Sequence, residues 1–228
     1  MKGVGLAAGG LLLGLMVGAF ANLVVERIPH GLALRGSRER GRPPFSPRLA
    51  PVQLGVGLVW AGLIPRIGWR SDLVAFLVFG AVLVILSAID LKHHRLPNRI
   101  LGPASILAVI LLGMAALIGG DLRPFATGGI GALAYGVPIL TLALIAPGDM
   151  GAGDVKFGAY LGLHLGWLGL SQVLAGMLIG FVAGGLAAAV LLATRRKSGK
   201  DSIPFGPFMA LGALVVVFGV NPLASLWR

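Results

Sequence analysis

The sequence contains no cysteine. That excludes disulfides, thiolate metal sites and cysteine nucleophiles, while leaving the compartment open. Charge is scarce as well: 12% of the 228 residues are charged and only eight are acidic, against 57% hydrophobic residues and a mean hydropathy of +0.92. A soluble domain of this size needs a polar shell that such a composition does not supply. Strand-like alternation over segments of about ten residues is also missing, which argues against a membrane barrel. What is present is a series of apolar runs rich in Leu, Ala and Gly. A helix crosses a hydrocarbon core about 30 Å thick with roughly 20 such residues, and it satisfies its own backbone while doing so.

The clearest runs are 4–25, 73–89, 100–118, 126–146, 168–193 and 203–220. Two shorter ones, 52–64 and 155–165, complete the pattern. The expected fold is therefore all-α: a polytopic transmembrane helical bundle of about eight spans, two of them short, forming a single integral membrane domain over 1–228. The first run lacks a strongly basic front and a small-residue cleavage site before Glu26, so it is expected to stay as an anchor. Most of the 37 glycines need no functional reading, because small residues let membrane helices approach closely.

A net charge of +11 would suit a nucleic-acid partner, yet the positions of the charges follow membrane topology instead. Assigning alternate loops to opposite sides places fourteen of the nineteen Lys and Arg on one face, among them Lys92, Arg95, Arg99 and Lys156. By the positive-inside rule that face is cytoplasmic, and both termini lie outside. The largest cytoplasmic loop, 26–50, is basic and Cys-free, suited to anionic lipid headgroups.

With so few acids, each one beside a span carries weight. Asp90 directly follows an apolar run, about a turn inside the boundary marked by Lys92 and Arg95. Asp154 begins another apolar segment after Gly151-Ala152-Gly153, at the same face. Taken singly, either one suits a helix-end cap. Together in a low-dielectric pocket they cannot both ionise, so one stays protonated while the other activates a water. Gly151 and Gly153 let the loop approach a substrate backbone closely, and Lys156 is placed to hold the loop or the carboxylates. Asp149 competes with Asp154 but lacks the Gly-x-Gly context. His93 and His94, adjacent on a helix, point about 100° apart and are poorly placed to share a metal ion. The four Trp and Tyr160 read as interfacial anchors.

Four segments, in order, resemble the type IV prepilin peptidases, a family of Gly-x-Gly-Asp membrane proteases. They are 20–29 with Phe20, Asn22, Arg27 and Pro29; 89–98 with Asp90, Pro97 and Asn98; 150–156 with Gly151, Gly153 and Asp154; and 203–213 with Pro204, Gly206 and Pro207. The resemblance implies an aspartyl endopeptidase with Asp90 and Asp154 as catalytic pair. Its substrate would be a prepilin or pseudopilin, whose short basic leader is cut at the cytoplasmic face of the bacterial inner membrane. It places Pro204, Gly206 and Pro207 near the site, where the plainer reading is a helix N-terminus. Many family members carry two Cys-x-x-Cys pairs suited to zinc in the first cytoplasmic loop. This loop has none, so no zinc is expected, and proteolysis itself needs no cofactor. The family is often bifunctional, methylating the new N-terminus with S-adenosylmethionine, and that activity stays open here.

Two readings compete: a proton-coupled transporter, and a non-enzymatic membrane subunit of a secretion system. The transporter needs a path across the membrane, but both acids sit at one face and no inverted repeat is visible.

Overall fold

The structure is a computed structural model and describes residues 2–27, 50–145, 150–194 and 204–219. Eight helices are found among them: α1 (Lys2–Arg27), α2 (Ala50–Ile67), α3 (Leu73–His93), α4 (Asn98–Gly119), α5 (Arg123–Ile145), α6 (Ala152–Leu168), α7 (Leu170–Ala193) and α8 (Gly206–Val217). Five are long and apolar enough to cross a membrane: those at Gly3–Asn22, Leu73–His93, Asn98–Gly119, Arg123–Ile145 and Leu170–Ala193. The chain is thus a multi-pass α-helical membrane protein. Large apolar side chains such as Met16, Ile106, Leu117 and Leu144 are exposed on these helices, as a lipid-facing surface requires.

The run expected over 203–220 is shorter as a helix. Within the described residues α8 covers only Gly206–Val217, roughly 18 Å, too short to cross alone. Pro204 and Pro207 fix where it starts, and Gly219, at φ 98°, stands just past its end. Most of the expected cytoplasmic loop, with Asp149, lies outside the described residues, as do the side chains of Glu26 and Arg27.

The described residues fall into two compact units. The first comprises Met1–Ile89 and Pro97–Ala115. Here Gly10, Gly14 and Gly18 repeat every fourth position on α1 and meet α2 antiparallel. A Cβ on Gly14 would stand 2.7 Å from Gly57 Cα, and one on Gly18 would stand 2.7 Å from Gln53 Cα. The Gln53 amide donates to the Leu15 carbonyl at 3.0 Å across this interface. The Trp60 indole N–H donates to the Leu77 carbonyl at 2.9 Å, tying α2 to α3. The half-buried Trp60 is thus engaged between two helices.

The second unit comprises Asp90–Leu96 and Ala116–Arg228. It uses the same device twice. Gly131 of α5 meets Gly162 and Gly166 of α6, and Gly176 and Gly180 of α7 meet Gly212, Phe208 and Met209 of α8. With lipid as solvent, helix association relies on close van der Waals contact, and these glycines permit it. α6, expected only as a short apolar segment, is the interior helix: every residue from Tyr160 to Trp167 is buried. Tyr160 belongs to that interior and not to an interfacial belt. Its ring lies edge-on to the fully buried His164, centroids 4.8 Å apart, and the His164 Nδ1 is 3.0 Å from its carbonyl.

Candidate active site

Asp90 and Asp154 reach the second unit by different routes. Asp90 sits in the last turn of α3 and is 5% exposed. The helix ends at His93. His94 then adopts a left-handed conformation at φ 52°, and its N–H donates to the Asp90 carbonyl at 2.8 Å. A residue in that conformation is a common way to end a helix and redirect the chain. The redirected strand of chain carries Leu96, half-buried, back toward α6 and α8.

Asp154 occupies the third position of α6. Gly151 precedes the helix in extended conformation, φ −87° and ψ 157°, and its carbonyl accepts the Asp154 N–H at 3.0 Å. In return Asp154 Oδ2 accepts the Gly151 N–H at 3.0 Å. This is half of a capping box, since glycine has no side chain to complete the other half. The cap expected of a lone helix-end acid is therefore present. It uses one carboxylate oxygen, and Asp154 stays only half-buried.

α8 supplies the remaining part. No side chain of its own caps it: Phe205 stands at the N-cap, and Pro207, second in the helix, has no N–H to satisfy. The first amide, Gly206 N–H, instead donates to Asp90 Oδ2 at 2.9 Å, in a buried bond spanning 116 positions of sequence. Asp90 is at the C-terminal end of α3, where the helix dipole disfavours a negative charge, and the N-terminus of α8 offsets that. A Cβ on Gly206 would fall 2.8 Å from the same oxygen, so only glycine allows this approach. Leu96 links the two helix starts: it lies against Gly153, the residue before Asp154, and against Gly206, whose amide holds Asp90.

The two acids, Gly151, Gly153 and Gly206 are thus brought to one region of the second unit. Lys156 is exposed two residues beyond Asp154, and Pro204 and Pro207 are half-buried on either side of the start of α8. The structure adds two things that the sequence did not suggest: Gly206 bonds Asp90 directly, and Leu96 packs against both Gly153 and Gly206. An apolar side chain in a membrane protein gives no signal of such a role. Among the described residues no three His, Cys, Asp or Glu side chains cluster as a metal site would need.

A multi-pass membrane protein with a buried acid at the end of one helix and another in the first turn of a second defines a class, and comparison places the chain within it. A family model described as the type IV leader peptidase family matches residues 77–193, just over half of the chain and including both acids. The chain belongs to that family. Proteins named prepilin leader peptidase/N-methyltransferase are similar over most of its length. One from Burkholderia pseudomallei strain 1026b is 33% identical over 199 residues, covering 86% of this chain and 62% of the relative. One from Xanthomonas campestris pv. campestris is 28% identical over 207 residues, covering 88% and 69%. One from Bacillus subtilis is 30% identical over 162 residues, covering 71% and 62%. The chain therefore spans about three-fifths of the length of the first of these relatives. No solved structure gives a significant match.

Proposed function

We propose that the chain is an intramembrane aspartyl endopeptidase acting on type IV prepilins or pseudopilins. It would cut the short basic leader at the cytoplasmic face of the bacterial inner membrane. The observation that carries this reading is that Asp90 and Asp154 each have one oxygen held by a backbone amide at a helix start, Gly206 for one and Gly151 for the other, with Leu96 packed against both starts. The printed names of the relatives supply the substrate class.

The chemistry follows from two carboxyl groups sharing a proton. The ionised one takes a proton from a water as that water attacks the scissile carbonyl. The protonated one donates to the developing oxyanion, and the carboxyl that took the water's proton passes it to the leaving amine as the C–N bond breaks. The bilayer is the enzyme's solvent, and the basic face carrying Lys92, Arg95 and Lys156 is taken as cytoplasmic, with both termini outside.

The relatives are also named N-methyltransferases. The described residues include no glycine-rich strand-to-helix turn of the kind that cradles a nucleotide-like donor such as S-adenosylmethionine. The Cys-free sequence has no thiolates with which to build a tetrathiolate zinc site.

The test is cleavage of a purified prepilin with intact leader by wild type, Asp90→Asn and Asp154→Asn. Asparagine keeps an oxygen able to accept the Gly206 or Gly151 amide, so both variants should fold. Loss of cleavage in each, with unchanged thermal unfolding, is the expected result. Full activity in both rejects the pair.

A further inference from the structure

Leu96 stands between the two helix starts that carry the candidate site. A Cβ on Gly153 would meet Leu96 Cβ at 2.9 Å and its carbonyl oxygen at 3.2 Å; one on Gly206 would meet Leu96 Cδ2 at 3.5 Å. The backbone of Leu96 therefore abuts the first turn of α6, which bears Asp154, while its side chain reaches the residue whose amide holds Asp90. Its own position is fixed from both directions. His94 in the left-handed region sets the exit from α3, and Pro97 confines the residue before it to extended conformations.

We propose that Leu96 is a positioning residue, a spacer that sets the separation of the Asp90 and Asp154 carboxyl groups. It touches no reacting atom; it acts through Gly153 on one side and Gly206 on the other. The proposal rests on the peptidase reading for its catalytic consequence, but the spacing itself is a physical property of the chain. Shortening the side chain leaves the start of α8 free to settle toward α6 or to drift from it, and either movement changes how strongly the two acids interact. Methionine, of similar volume and unbranched, fills the same gap.

Two measurements on the full-length purified chain test this. In the first, wild type, Leu96→Ala and Leu96→Met cleave a prepilin with intact leader across a range of pH. A misplaced pair should lower kcat on the order of 10–100-fold in Leu96→Ala with KM held. The spread between the two limbs of the pH–rate profile reports the mutual interaction of the acids, so its width should change. Leu96→Met should restore both. In the second, Asp90 and Asp154 are each replaced by Cys, the only thiols in the chain, and the rate of bridging by a short bis-maleimide is followed. Leu96→Ala should alter that rate severalfold and Leu96→Met should return it.

A Leu96→Ala chain that bridges at the parental rate and keeps the parental profile width overturns the proposal, even if its activity falls with its thermal stability. If no variant cleaves, wild type included, yet Leu96→Ala still alters bridging, the peptidase reading fails and the spacer survives. Should Leu96→Ala not fold, Leu96→Val takes its place in both measurements.

Discussion

Gly206 donates its amide hydrogen to Asp90 Oδ2, so the first residue of α8 is bound to a carboxylate at the far end of α3. The bond serves two needs at once. It satisfies an amide that α8 cannot satisfy itself, and it fixes one oxygen of Asp90, leaving the other for chemistry.

Gly206→Ala should disable this arrangement. The new methyl would lie 2.8 Å from Asp90 Oδ2, closer than real contacts allow, so the carboxylate must shift and the bond lengthen. Weakening a hydrogen bond to a charged group costs about 1.5–3 kcal/mol, so kcat/KM should fall on the order of 10–100-fold. Steady-state cleavage beside thermal unfolding checks it; activity within twofold of wild type would show that Asp90 does not depend on the contact.

The two glycines of the Gly-x-Gly-Asp segment should respond differently. A Cβ on Gly151 meets only Asp154 Oδ2 at 3.6 Å and Gly153 N at 3.8 Å, ordinary contacts, and its backbone angles suit alanine. Gly151→Ala should change stability by less than about 0.5 kcal/mol. Gly153→Ala would press on Leu96 at 2.9 Å, where backbone as well as side chain must yield. Overpacking of that kind costs about 1–3 kcal/mol, read as a lowered unfolding temperature and slower cleavage. Equal tolerance of both substitutions would contradict the packing described here.

Much of this is legible in the sequence, for physical reasons. Long apolar runs announce membrane helices because nothing else satisfies the backbone in lipid. Asp90 and Asp154 stood out because acids at span ends are few. The rest depends on which surfaces meet. Gly206 reads from sequence as an ordinary helix start, and only the approach of a residue 116 positions away makes its amide a ligand. Leu96 is one leucine among many. Tyr160 reads as interfacial because aromatic residues near apolar boundaries usually are, and helix packing overrides that tendency.

The glycines between α5 and α6 offer a test of packing that leaves the acids untouched. A Cβ on Gly162 would collide with the Gly131 carbonyl and come within 2.9 Å of Ala132 Cα, all of it backbone. On Gly185 of α7 a Cβ meets nothing within 4 Å. Gly162→Ala should destabilise by at least about 1–3 kcal/mol, because two helices must part to admit it. Gly185→Ala should leave stability unchanged or slightly raised. Thermal unfolding in one detergent compares the two directly, and a stable Gly162→Ala protein would rule out the close approach.

His94 gives the last prediction. It is the one non-glycine residue with positive φ among the described residues, and it lies four positions after Asp90. Its conformation directs Leu96 toward α6 and α8, so a residue that tolerates φ 52° should preserve the site, whereas a β-branched one should not. Holding a non-glycine residue there costs on the order of 1–3 kcal/mol, more for valine than for asparagine. His94→Asn should therefore cleave like wild type, and His94→Val should be less stable and slower. His94→Gly separates backbone from side chain, because glycine adopts the turn freely but removes the imidazole. If His94→Gly keeps wild-type stability and pH–rate profile, the residue is needed for its turn alone. If stability holds but the profile shifts, the imidazole also acts electrostatically on the carboxylate one turn before it.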